Sequence, residues 1–109
     1  MAQPAPNTKD WKAWFEVLPP HPQAHFTVIG EVEVNNVADS AHLKVHQPQG
    51  INPKILLLDL TITLDGEGFP KKFYKQVRLD MAAHAGAYTD VEIWWEGKKI
   101  AGVKVGMIA

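Results

Sequence analysis

The stretch Ile55-Leu56-Leu57-Leu58-Asp59-Leu60-Thr61-Ile62-Thr63-Leu64 decides the fold. Leu56, Leu58, Leu60, Ile62 and Leu64 recur at every second position, and Asp59, Thr61 and Thr63 take positions between them. A strand sends successive side chains to opposite faces, whereas a helix brings one face round only every 3.6 residues, so this rhythm predicts a central core strand. The same rhythm runs through Phe26, Val28, Gly30, Val32 and Val34, set against Thr27, Glu31 and Glu33. It returns from Ala41 to His46, where Leu43 and Val45 oppose His42, Lys44 and His46. From Phe73 to Leu79 it sets Phe73, Lys75, Val77 and Leu79 against Tyr74, Gln76 and Arg78, and Lys75 implies that one end of the apolar face opens to solvent.

The connections follow from backbone chemistry. Pro19, Pro20 and Pro22 break any helix begun in Trp11 to Leu18, which leaves a strand or a single turn there, the strand being favoured. Pro48-Gln49-Gly50-Ile51-Asn52-Pro53 cannot join a regular ladder, because its prolines lack donors and its glycine invites positive φ, and it is expected to cross between sheets. Asp65-Gly66-Glu67-Gly68 reads as a loop, and Asp80 to Ala87 is the sole candidate for a helical turn. Near the C-terminus Val91, Ile93 and Trp95 alternate, Gly97 turns the chain, and Ile100 to Met107 returns. Pairing Ile93 with Ala101 and Val91 with Val103 brings Asp90 opposite Lys104, a sensible charge match. The expected fold is all-β, an immunoglobulin-like two-sheet sandwich of about seven antiparallel strands.

At 109 residues with 46% hydrophobic and 21% charged side chains, the chain supports one core and no second. Residues 1–10 read as a flexible lead and residues 11–109 as a single domain. Eleven basic against twelve acidic residues give a net charge of −1, too weak a field to collect nucleic acid or anionic membrane. The absence of cysteine removes disulfides, thiolate catalysis and cysteine zinc sites. No apolar run approaches a bilayer span and the first ten residues lack the pattern of a secretory signal, so the cytoplasm is the default expectation.

Pro48-Gln49-Gly50-Ile51-Asn52-Pro53 running into Ile55-Leu56-Leu57-Leu58-Asp59-Leu60, with Tyr88-Thr89-Asp90-Val91-Glu92-Ile93 later, resembles small uncharacterised bacterial β-sandwich proteins of the immunoglobulin-like kind. The resemblance implies the sandwich and no activity. Gly86-Ala87-Tyr88 also resembles the approach to a tyrosine corner.

Catalytic chemistry finds little to hold. His21 with His25, and His42 with His46, lie four apart; on a strand that places two rings on one face but roughly 13 Å apart, too far for one ion without ligands from a neighbouring strand. Asp59 reads as an outward residue by its parity with Thr61 and Thr63. Ser40 is the only serine and has no nucleophile elbow around it. Gly66-Glu67-Gly68 lacks the strand-to-helix setting of a phosphate loop, and Lys71, Lys72 and Lys75 read as guards of an edge strand. No catalytic residue, cofactor or metal is expected.

Four tryptophans remain: Trp11, Trp14, Trp94 and Trp95. Trp95 shares the inward parity of Val91 and Ile93, so Trp94 points outward, and Ile29, Ile55, Leu57 and Ile100 also fall on outer positions. Either the segment Trp11 to Leu18 covers this apolar surplus or another molecule does. The expectation is a non-catalytic module acting through protein contacts, with a protein partner or a homodimer meeting Trp94, Ile100, Leu57 and Ile29. The alternatives are carbohydrate binding by Trp94 with a second ring from Trp11, Trp14 or Tyr74, and a hydrolase or metalloenzyme built on His42, His46 and Asp59.

Overall fold

The computed structural model describes residues 4–17, 23–64 and 68–108. Their regular structure is entirely β: β1 (Thr8–Glu16), β2 (Gln23–Asn36), β3 (Ser40–Val45), β4 (Ile55–Thr63), β5 (Pro70–His84), β6 (Asp90–Trp95) and β7 (Lys98–Ile108). β1 begins inside the stretch read as the lead, because the Asn7 carbonyl accepts the Glu33 amide at 2.9 Å and Thr8 pairs with Val32. Leu18 to Pro22, with His21, and the Asp65 to Glu67 part of the glycine loop lie outside the described residues.

The strands pair in one series, β3-β4-β6-β7-β1-β2-β5. β7 joins its two halves: up to Lys104 it is antiparallel to β6, and from Val105 it runs parallel to β1. β4 and β6 are also parallel, with Leu56 beside Val91 and Leu58 beside Ile93. The expected all-antiparallel pairing is therefore corrected to a mixed sheet. Parallel neighbours need a crossover, and here the chain leaves β4, travels to the far end of the series as β5 and returns as β6. Periodicity shows which face of a strand is apolar and carries no information about its direction.

The two ends of the series approach each other, so the sheet nearly closes into a flattened barrel of 47 × 28 × 18 Å. At this seam the Val37 amide donates to the Phe69 carbonyl at 3.0 Å. Lys75 Nζ reaches the same place, donating to the Val37 carbonyl at 2.8 Å and to that of Asp39. The inward lysine that interrupts the apolar pattern of β5 thus ties β5 to the β2–β3 turn.

The core is the set the alternation picks out. Phe26, Val28 and Val32 of β2, Leu58 of β4, and Val91 and Ile93 of β6 are wholly buried. Phe15 of β1 packs on Phe26 with ring centroids 4.7 Å apart, and Tyr88 lies against the same ring at 5.4 Å. Each such side chain contributes about 1.5–3 kcal/mol on burial, which is why the rhythm fixes the register so firmly.

Two connections differ from expectation. Pro48 to Pro53 joins β3 to its own neighbour β4 rather than crossing between sheets. Within it the Gln49 side-chain amide replaces a strand residue: Nε2 donates to the Leu57 carbonyl at 2.9 Å and Oε1 accepts the Leu57 amide at 2.9 Å. The proposed helical turn at Asp80 to Ala87 is instead strand as far as His84, because β2 supplies partners along its whole length, Phe26 opposite Met81 and Gln23 opposite His84. The chain turns only at Gly86, at φ 79°. The β6–β7 hairpin has the expected register, with Asp90 and Lys104 2.7 Å apart. Its turn residues Glu96 and Gly97 both have positive φ, the signature of a type I′ hairpin.

Candidate contact face

The outer side of the β3–β4–β6–β7 half can be built row by row from the register. One row runs Lys44, Asp59, Trp94, Lys99, and the next carries Leu57, Glu92 and Gly102. Ile55, Asp90 and Lys104 form the third. Leu57 and Trp94 therefore lie on neighbouring strands, one row apart, with Ile55 beyond Leu57. All three are half-buried.

Trp94 is held rather than loose. His46, just past β3, lies against it with ring centroids 6.4 Å apart and planes within 20°. The indole Nε1 donates to Glu92 Oε1 at 3.2 Å. His46 is fixed in turn by Asp59, whose carboxylate oxygens accept from Nδ1 at 2.8 and 2.9 Å. Shallow depressions flank this ridge, one of about 410 Å³ beside Lys44, His46 and Asp59, and one of about 540 Å³ beside Ile55, Lys99 and Gly102.

The charges around the ridge are matched in pairs. Lys99 lies 3.3 Å from Glu92 and Lys104 lies 2.7 Å from Asp90. Lys104, with help from the Thr89 hydroxyl, holds the Asp90 carboxyl below the usual carboxylate range. An apolar strip of Ile55, Leu57 and Trp94 is left inside a nearly neutral rim.

Of the four residues expected to form one surface, two do so. Leu57 and Trp94 share this face, although Leu57 is partly covered by its own chain where Gly50 approaches its side chain. Ile100 is skipped in the β6–β7 ladder, since Ile93 pairs with Ala101 and Trp94 with Lys99. This bulge turns it against the core. Ile29 lies in β2, between Lys12 and Arg78, three places along the series from β6 and part of a different surface. The segment Trp11 to Leu18 does not cover the face either: its described part is the strand β1, and Trp11 packs against the core.

The carbohydrate and enzyme readings meet particular obstacles. Trp11 is partly buried against the core over β2, Trp14 lies on β1 beyond β7, and Tyr74 lies on β5 under Lys9, so none stands beside Trp94. The ring that does is His46. The structure brings His46 to Asp59, and Ser40 to His42 at 3.1 Å, but these are two separate pairs. His42 on β3 and His46 just past its end are four residues apart, about 13 Å along an extended chain, so no Ser-His-Asp relay forms. Among the described residues no three His, Asp or Glu side chains converge as metal ligands would.

Two features escaped the sequence reading. Among the described residues, the exposed large apolar side chains are in connections: Ile51, Phe69 at 80%, Leu64 at 60% and Val37. Ile51, Phe69 and Val37 lie outside strands, where alternation carries no information, whereas Leu64, expected on the inward face of the core strand, falls just past the end of β4 at Thr63 and is exposed. On the outer side of β2 and β5, Asp80 accepts from Arg78 Nε at 2.7 Å, from the Thr27 hydroxyl at 2.9 Å, and meets His25 Nε2 at 2.9 Å. The Arg78 hydrogen bond, then that of His25, holds the Asp80 carboxyl far below its usual range, and Arg78 is raised in return.

No family model, no curated protein and no solved structure matches the chain.

Proposed function

We propose that this β-domain is a non-catalytic module of immunoglobulin-like type that docks another protein on the Leu57–Trp94 face. The observation that carries the reading is Trp94, an outward tryptophan braced by His46 and Glu92 inside a rim of matched charges. An aromatic anchor already held in place loses little conformational entropy when a partner covers it. Internally paired charges give the face no net field, so the partner it suits is an apolar knob with a balanced polar rim rather than a polyanion.

Trp94→Ala and, separately, Leu57→Ala test the reading in a pull-down with the intact domain as bait. A protein captured by the wild type, and lost from both variants at unchanged stability, supports the docking face. Identical capture by all three proteins overturns it. Carbohydrate binding is the second reading, favoured by the half-buried, outward Trp94 ring held in place by His46, on whose open side a sugar ring would stack. Glycan-array binding by the wild type that vanishes in Trp94→Ala would replace the first reading with this one.

A further inference from the structure

β5 ends the strand series, and its free side is protected unevenly. Its first part carries Lys71, Lys72 and Lys75, and the Lys75 ammonium bonds the β2–β3 turn, a lysine guard of the kind that discourages edge pairing. From Gln76 to Ala82 there is no lysine, proline or glycine. The cross-strand rows locate the opening past Val77, which is still buried, at Leu79 and Met81. Val28 opposite Leu79, and Phe26 opposite Met81, are wholly buried, whereas Leu79 and Met81 are only half-buried. Members of one row on one face differ in this way when the strand beyond is missing.

We infer that this segment is a homodimer interface, in which β5 pairs antiparallel with β5 of a second copy about a two-fold axis at Leu79. A symmetric antiparallel pairing keeps faces matched only if the paired residue numbers have an even sum, so the central registers to compare lie at Arg78, Leu79 and Asp80. An axis at Arg78 opposes two arginines, and one at Asp80 opposes two aspartates. The axis at Leu79 sets Arg78 against Asp80 of the partner subunit twice over on the polar face. On the apolar face it sets Val77 against Met81 of the partner subunit, and the two Leu79 side chains against each other. Charge and apolar patterns therefore select one register and one occupant, a second copy of this chain. The surface lies on a different strand from the Leu57–Trp94 face and does not depend on it.

Sedimentation equilibrium of the full chain tests the inference. The wild type is expected to reach twice its 12.1 kDa mass with rising concentration. Arg78→Asp sets an aspartate against Asp80 of the partner subunit at both paired positions and is expected to weaken the dimer at least about tenfold. Arg78→Asp combined with Asp80→Arg restores the cross-strand match and should recover the dimer, and Trp94→Ala should leave it intact. A wild type monomeric at every concentration overturns the inference, as does an Arg78→Asp protein that dimerises unchanged or a folded charge-swapped protein that stays monomeric. Hydrogen exchange of the wild type covers the case in which a variant fails to fold. Protection between Gln76 and Ala82 must rise with concentration, and protection independent of concentration refutes the pairing.

Discussion

Adding one methyl group at Gly30 should cost more than it gains, and the cost should vanish when a second residue is cut back. Gly30 is a buried position in the middle of β2, facing inward between Val28 and Val32. A Cβ there would run into the six-membered ring of Trp11, which lies across the glycine from β1. The ring is tethered, since its Nε1 donates to the Thr8 hydroxyl at 2.9 Å and its strand is bulged at Asp10, φ 55°. Overpacking of this kind costs about 1–3 kcal/mol. Alanine recovers about 0.5–1 kcal/mol of the conformational cost of a glycine inside a strand. The net expectation for Gly30→Ala is about 1–2 kcal/mol of destabilisation, or about 4–9 °C in Tm for a chain of this length. Urea unfolding followed by far-UV circular dichroism, in wild-type and Trp11→Ala backgrounds, reads the effect. With Trp11 cut back, Gly30→Ala should become neutral or mildly stabilising. An equal penalty in both backgrounds, or none in the wild type, would show that Trp11 is not packed over Gly30, and the case against it as a second sugar-stacking ring would fail.

Asp80 sets an acid-range prediction. Its folded-state carboxyl is depressed by Arg78 and His25, so its contribution is complete above the ordinary carboxylate range and is lost as pH falls from about 4 towards the lower folded value. The urea midpoint of the wild type should therefore exceed that of Asp80→Asn at pH 6, and the gap should shrink steadily as pH falls from about 4 to 2; a gap independent of pH refutes the assignment. Lys75→Met removes the donor shared by the Val37 and Asp39 carbonyls. It should cost about 1 kcal/mol and speed hydrogen exchange at the Val37 amide, and unchanged exchange there would argue against the lysine tie.

Much of the fold was legible because burial acts on alternate residues. Leu56, Leu58, Leu60 and the Phe26 to Val34 series needed only the pleat, and the Asp90–Lys104 match followed once the hairpin was recognised. The site was legible by halves. Trp94 and Leu57 keep the outer parity of unbroken strands, but Ile100 falls on a bulge, and one extra residue reverses the side to which a chain points. His46 and Asp59 were nameable by residue type, but their contact was not legible, since the two lie 13 positions apart and meet only through the β3–β4 register.

The amino-acid sequence alone determined that this is an all-β chain with one core, because strand periodicity is a local property and one core is all that 109 residues can bury. It also determined which face of most strands is apolar. Tertiary structure alone decided the strand order, the two parallel pairings and the near-closure at Lys75. It decided as well that Trp11 packs against the core over Gly30 while β5 ends the strand series. Those outcomes depend on which distant segments pair, and pairing is settled by the joint packing of all seven strands rather than by the alternation within any one of them.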